Sequence, residues 1–233
     1  MPVTRIKICC IASVEEAWTA IELGASAVGL VSEMPSGPGV IPEPLIATIA
    51  SAIPPAIGSF LLTSRTDPEA IVTQQRRCRV NAVQLCDRLP PDGLEELRRR
   101  MPGVAIVQVL HVRGERALVD AAALAGRVDA ILLDSGDAGA RPKRLGGTGT
   151  THDWEISRKI RDSVGVPVFL AGGLEAGNVA NAIRRVRPFG VDVCTGVRTD
   201  GRLDPAKLRA FVGAVNGAGT GVEVETGREG RHG

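Results

Sequence analysis

The stretch Arg5-Ile6-Lys7-Ile8-Cys9-Cys10-Ile11-Ala12-Ser13 decides between two architectures for this chain. Four residues of strand character run into a short loop, and a segment of helical period follows from Ser13 to Leu23. Ser13 is placed to cap that helix, with Glu16 three residues on, and Gly24 supplies the glycine that ends it. A strand leading straight into a helix is the first half of a βαβ unit. An open dinucleotide-binding sheet would want Gly-x-Gly-x-x-Gly in the intervening loop. Cys9-Cys10-Ile11-Ala12-Ser13 contains no glycine.

Outward from this stretch the alternation repeats until eight strands are counted. They are expected at Arg5 to Ile8, Ala27 to Val31, Ile57 to Leu62, Ala82 to Leu85, Ala105 to Leu110, Ala130 to Leu133, Val166 to Leu170 and Gly190 to Val193. Most are rich in Val, Ile and Leu, as parallel strands covered on both faces require. Pro167 falls near the start of its strand, where a missing N–H is tolerated. Asp67-Pro68 and Asp204-Pro205 each offer a cap followed by proline at the first helical position. Eight such units fit a closed barrel or a doubly wound open sheet. The count and the 233-residue length favour a single-domain α/β fold, a (β/α)8 TIM barrel over residues 1–215. From Asn216 onward the chain is rich in Gly, Thr, Glu and Arg without apolar period, so residues 216–233 are expected to form a disordered tail.

Composition narrows the function classes. Hydrophobic residues at 44% and charged residues at 23% suit a soluble chain with a sizeable core. A net charge of +2, 3% aromatics and no basic run interleaved with aromatics argue against nucleic acid as a partner. No apolar stretch approaches the ~18 residues of a membrane span, and the start carries no signal-peptide pattern. Five cysteines in no disulfide framework point to reduced thiols in the cytoplasm. Without a Cys-x-x-Cys pair, and with three His in all, no metal site is expected. Monomer and homodimer are equally compatible.

In a barrel of this kind the site lies where strands end and the βα loops begin. Those ends read Cys9-Cys10, Ser32-Glu33, Thr63-Ser64, Cys86-Asp87, His111, Asp134-Ser135, Ala171-Gly172-Gly173 and Cys194-Thr195-Gly196. Gly172 and Gly173, with Cys194, Thr195 and Gly196, offer exposed backbone N–H groups and a helix N-terminus to an anion. Gly-Gly can also serve a tight turn alone, but both loops carry the pattern together, which favours a small phosphorylated substrate. Gly147 and Gly149, within Leu145-Gly146-Gly147-Thr148-Gly149-Thr150, add a donor-rich lid.

Further matches occur in order: Lys7-Ile8-Cys9, Ala25 to Gly29, Val83-Gln84-Leu85, Leu132-Leu133-Asp134, Gly146-Gly147-Thr148-Gly149 with Asp153-Trp154, Leu170-Ala171-Gly172-Gly173-Leu174 with Asn178-Val179, and Gly190-Val191-Asp192-Val193. In this series the chain resembles the phosphoribosylanthranilate isomerase family over residues 5 to 210. The resemblance implies an Amadori rearrangement in tryptophan biosynthesis, with no metal or organic cofactor. A phosphoribosyl amine opens to an imine and tautomerises to an aminoketose. Cys9 is the implied general base and Asp134 the implied general acid. One group must protonate the departing ring oxygen while another removes the C2 proton. A thiol acting near neutral pH needs a cationic neighbour, and strand alternation puts Lys7 on the same side as Cys9. Lys7 could equally belong to an ion pair inside the barrel. Asp134 must hold a proton, which calls for burial or a negative neighbour. Gln84, Cys86 and Arg88, at the end of the fourth strand, are further candidates for substrate contact.

The departures gather at the ligand. Gly39 stands where the family carries an arginine that pairs with the anthranilate carboxylate, and glycine cannot replace a charge-assisted contact. Cys86-Asp87 replaces His-Gly, Cys10 replaces the glycine after the catalytic cysteine, and Arg198 stands near a family glutamate. Arg65, Arg88 or Arg113 could take over the carboxylate. Alternatively the chain is a divergent paralogue that isomerises, or only binds, another phosphorylated small molecule. A third reading gathers Cys9, Cys10, Cys86 and Cys194 into a redox or metal centre. It is geometrically awkward, because the fourth strand lies across the barrel from the first and eighth.

Overall fold

A computed structural model describes residues 3–135 and 153–218. Eight parallel strands close on themselves in sequence order. They are β1 (Arg5–Ile8), β2 (Ala27–Val31), β3 (Gly58–Thr63), β4 (Ala82–Leu85), β5 (Ala105–His111), β6 (Ala130–Asp134), β7 (Val168–Leu170) and β8 (Gly190–Val193). The surrounding helices are α1 (Val14–Glu22), α2 (Glu43–Ala52), α3 (Pro68–Cys78), α4 (Gly93–Arg100), α5 (Arg116–Leu124), α6 (Trp154–Ser163), α7 (Val179–Val186) and α8 (Pro205–Ala218). Beyond β8 a 3-10 turn, Thr195–Val197, leads to a small hairpin of β9 (Arg198–Thr199) and β10 (Arg202–Leu203).

Closure is made by β1 against β8, with Lys7 opposite Asp192 and Ile8 opposite Val193. The period of two then sorts the side chains. Ile8, Leu30, Leu61, Val83, Ile131 and Val191 face outward and meet Ile46, Ile71, Leu97, Ile160, Ile183 and Phe211 from the helix ring. Each such side chain, fully buried, contributes roughly 1.5–3 kcal/mol. Ala27, Val31, Phe60, Leu62, Val107, Leu132 and Phe169 fill the barrel itself. The interior is therefore a second core, with its polar members near the upper end.

The helix signals hold. Ser13 Oγ accepts from the N–H of Glu16 at 3.1 Å, and Gly24 follows α1 with φ +107°. Asp67 and Asp204 accept from the N–H groups of Ala70 and Ala206 at 3.1 and 2.9 Å. Some boundaries move. β7 begins at Val168 rather than Val166, because Pro167 has no N–H to pair and contributes only its carbonyl, to Ile131 N at 3.0 Å. β3 spans Gly58–Thr63 instead of starting at Ile57, and β5 and β6 each run one residue further, through His111 and Asp134. The boundary placed at residue 215 falls inside α8, which continues through Ala218; that residue packs into the core. Residues 219–233 lie outside the described residues. Among the described residues no helix is long and apolar enough to cross a membrane.

Candidate active site

Lys7 lies at the centre of the barrel, with no exposed surface, and its Nζ is 2.9 Å from Asp192 Oδ1. Burial alone would depress the ammonium pKa, but the facing Asp192 carboxylate together with the nearby Cys9 and Cys10 sulfurs outweighs it, and the pKa of Lys7 is raised above its usual range. Lys7 therefore remains charged. Cys9 stands two residues further on, just past the end of β1, and on the same side. A β-carbon on Gly29 would come within 3.0 Å of Cys9 Sγ and 3.1 Å of Lys7 Nζ. Gly29 thus leaves thiol and ammonium the space they share, and Lys7 forms the ion pair inside the barrel that was one of the two roles open to it.

Asp134 ends β6 and is 7% exposed. Its Oδ1 accepts from the N–H of Ser135 at 2.7 Å. Burial is the dominant influence on its carboxyl and the Asp192 carboxylate adds to it. Against the opposing pull of Ser135 and Lys7, its pKa is pushed up to about 6. An acid with that value keeps part of its protons near neutral pH. Cys9 and Asp134 line one cavity, with Gln84, Cys86 and Asp192 also in its wall.

Gly172, Gly173, Cys194 and Thr195 form one side of this cavity. Gly172 and Gly173 have φ of +84° and +61°, in the left-handed region. A β-carbon on Gly172 would meet Ser135 Oγ at 2.8 Å, and one on Gly196 would lie 2.1 Å from the Leu174 carbonyl oxygen. The loops after β6, β7 and β8 approach one another through bare backbone. Asn178 ties the β7 loop down, donating from Nδ2 to Gly173 O at 2.8 Å and accepting at Oδ1 from Glu175 N at 2.9 Å. Met34, Ser36, Gly37 and Pro38 form the opposite side.

The other expected residues separate. Gln84 and Cys86 reach the cavity, and burial pushes the Cys86 thiol up to about 12, so it stays neutral. Arg88 does not reach it. Its exposed guanidinium is held by the Asp120 carboxylate beside a second recess, past Cys86, that His111, Arg113 and Arg116 also line. The side chain follows its ion partner on α5 rather than the barrel axis. Burial lowers the His111 pKa to about 4, leaving that imidazole neutral. Arg65 lies 3.5 Å from Glu43 and does not line the central cavity. Gly147 and Gly149 lie outside the described residues.

The partners of two side chains at the site escaped the sequence reading. Asp192 was visible only as part of a motif; closed-barrel adjacency of β1 and β8 plus alternation identifies it as the partner of Lys7. Arg198 is 8% exposed and donates from Nη2 to Cys9 O at 3.1 Å and to Cys10 O. Its Nη1 reaches Gly201 O at 3.0 Å, and Glu16 lies 3.4 Å away. Glu16 also accepts from Ala12 N and Leu203 N, both at 3.0 Å. This network holds the β1–α1 loop, in which Cys10 takes φ +63°. The replaced glycine at Cys10 was the available signal for that conformation. Gly39 packs directly on Cys10: a β-carbon there would lie 2.4 Å from Cys10 Cβ. All four thiols, Cys9, Cys10, Cys86 and Cys194, line the central cavity, with Cys10 beside Cys194 and Cys9. Among the described residues no group of three or more His, Cys, Asp or Glu could hold a metal ion, so the metal half of the four-thiol reading finds no support.

The family model described as N-(5'-phosphoribosyl)anthranilate (PRA) isomerase matches residues 6–214. An N-(5'-phosphoribosyl)anthranilate isomerase of Methanocella arvoryzae is 39% identical over 210 residues, covering 90% of this chain and 96% of the relative. That of Haloarcula marismortui is 38% identical over 204 residues, covering 85% and 89%. The crystal structure of phosphoribosyl anthranilate isomerase from Thermotoga maritima superposes with a TM-score of 0.78 at 31% identity, covering 92% of this chain and 99% of that one. A phosphoribosyl anthranilate isomerase in complex with reduced 1-(o-carboxyphenylamino)-1-deoxyribulose 5-phosphate gives 0.75 at 30%, with the same coverage.

Proposed function

The chain belongs to the N-(5'-phosphoribosyl)anthranilate isomerase family, and from that premise we propose that it converts N-(5'-phosphoribosyl)anthranilate to its aminoketose, with Asp134 as general acid and Cys9 as general base. The observation that carries this reading is the single cavity shared by Cys9, Asp134 and the glycine loops after β7 and β8. The phosphoryl group binds at Gly172, Gly173 and the Cys194-Thr195-Gly196 turn. Asp134 gives its proton to the furanose ring oxygen as the C1–O bond opens and the nitrogen lone pair forms the imine. The Cys9 thiolate then takes the C2 proton, and the electron pair left at C2 neutralises the iminium. The resulting enol-amine tautomerises to the ketone. The Lys7 ammonium, paired with Asp192, faces the same space as the Cys9 sulfur. Val31, Met34 and Leu62 offer an apolar wall to the aryl ring on the far side from the phosphate.

The test is turnover of N-(5'-phosphoribosyl)anthranilate by purified protein, followed by loss of anthranilate fluorescence. Cys9→Ala and Asp134→Asn are each expected to lower kcat by about 10²–10⁴-fold, with affinity for inorganic phosphate retained. Full activity in either variant overturns the mechanism. A second reading, a paralogue acting on another phosphorylated compound, is favoured by Gly39, which brings no cation toward a carboxylate. Failure of soluble protein to rescue a tryptophan auxotroph lacking this isomerase, with phosphate binding intact, selects it.

A further inference from the structure

The proposed mechanism uses one of the three thiols at the junction of β1 and β8. Cys9 N donates to Val193 O at 2.8 Å, which continues the β1–β8 register past Ile8 opposite Val193 and brings Cys194 alongside Cys9. Cys10 follows with its left-handed backbone, and its side chain lies beside the Cys194 and Cys9 thiols. Its Sγ also lies 3.6 Å from Pro38 O. All three line the open cavity, and Cys194 is the most exposed of the five cysteines. Arg198, held by Glu16 and the Cys9 and Cys10 carbonyls, stands beside them.

We propose that Cys194 and Cys10 are a peroxide-responsive thiol pair, an oxidation site that closes to a disulfide at the mouth of the barrel. The two thiols are unequal. The hydrogen bond from Cys10, with help from Arg198, holds the Cys194 thiol below its ordinary pKa, while the same bond, the bond to Cys9 and burial hold Cys10 above. Cys194 is therefore the nucleophile and Cys10 the protonated partner beside it, the arrangement that a peroxidatic and a resolving thiol need. The Cys194 sulfur attacks one oxygen of hydrogen peroxide and the O–O bond breaks, giving a sulfenic acid and a hydroxide that is protonated to water. The Cys10 sulfur then attacks the Cys194 sulfur and the S–O bond breaks. The hydroxyl leaves with the Cys10 proton as a second water. Two thiols have lost two electrons and two protons, and one peroxide has become two waters. Cys9, next to Cys10 in the chain, cannot pair with it without distorting the intervening peptide. Cys86 is buried and neutral, and Cys78 is buried at the end of α3.

The effect on activity rests on the phosphate role proposed for the Cys194 loop: a bridge to Cys10 draws that loop toward β1 and blocks the cradle. The chemistry of the pair stands without it. The full-length chain, freed of reductant, is treated with hydrogen peroxide, denatured with iodoacetamide, digested and mapped by mass spectrometry. A peptide cross-linked between Cys10 and Cys194, with Cys78 and Cys86 alkylated, is expected. Cys10→Ser should lose the cross-link and carry a dimedone-trapped sulfenic acid at Cys194. Cys10→Gly, which suits the left-handed backbone, provides the same readout should the serine variant fold poorly. Alkylation of all five cysteines, a link through Cys9, or no dimedone adduct at Cys194 in both variants overturns the proposal. Turnover should fall at least tenfold on oxidation and return with dithiothreitol. A mapped Cys10–Cys194 disulfide with undiminished turnover supports the thiol pair and overturns the phosphate role of its loop.

Discussion

The two sides of the barrel mouth close in opposite ways. After β7 and β8 the loops meet through glycine backbone, at Gly172 against Ser135 and at Gly196 against Leu174, and room is left for a ligand. After β1 and β2 they meet through a side chain, with Cys10 lying against Gly39. Between them run the Lys7–Asp192 pair and the acid–thiol pair of Asp134 and Cys9. Two of the departures named from the sequence, Gly39 and Cys10, therefore meet on one side of the mouth. Gly39 and Cys10 are then one change rather than two, because the thiol fills the space that any side chain at 39 would enter.

The interior half of the comparison is broken most sharply at Lys7. Lys7→Met strips Asp192 of its partner in a place with little water, and an unpaired buried charge is costly. The expected loss is about 3–5 kcal/mol of folding stability, read as a lower urea midpoint at constant slope. Lys7→Met with Asp192→Leu should regain most of it, since an apolar pair of similar volume needs no counter-ion. A loss below about 1 kcal/mol in the single variant would place the pair in the class of screened surface bridges.

Asp134 gives the next effect, with a definite sign. Its folded pKa of about 6 lies above the ordinary carboxylate value of 3.8. The folded state therefore binds the proton more tightly than the unfolded chain. Stability is full below about pH 4, is lost as pH rises through about 6, and is flat beyond. The gap is worth about 3 kcal/mol. Asp134→Asn, which resembles the protonated acid, escapes this loss. The difference in urea stability between wild type and variant should grow by about that amount between pH 4 and pH 7, other carboxylates cancelling. A difference independent of pH would remove the raised acid.

These features were unequally legible. The eight strands stood out because each is a short apolar run buried on both sides, and the caps Ser13, Asp67 and Asp204 mark helix starts by a local hydrogen bond that spacing alone foretells. Cys9, Asp134 and the glycine loops could be placed at the rim because a strand's end is a local property. The Lys7–Asp192 pair joins residues 185 positions apart, and only closure of the barrel makes them neighbours. Arg198 was harder still. Its partners are the backbone carbonyls of Cys9 and Cys10, which carry no residue signature. Arg88 misled for the converse reason: its place in the chain is beside the site, but its long side chain turns to Asp120.

The smallest expected effect tests whether the aryl side changed as a unit. Gly39→Ala places a β-carbon 2.4 Å from Cys10 Cβ in a backbone with φ +78°. Overpacking of that kind costs roughly 1–3 kcal/mol. Cys10→Gly removes the obstacle and relieves a left-handed non-glycine residue, so it should cost little alone. In the double variant the contacts with Cys10 Cβ and Sγ disappear, leaving a 3.0 Å approach to the Cα of residue 10 and the backbone strain at 39. A coupling of about 0.5–3 kcal/mol is expected for residues in contact, favourable in sign. The same background should admit Gly39→Arg, returning a cation to the aryl side, and there KM for N-(5'-phosphoribosyl)anthranilate should fall. Strict additivity would separate the two substitutions and leave Gly39 without a structural partner. A favourable coupling with unchanged KM would keep the packing argument while denying the carboxylate a place beside residue 39.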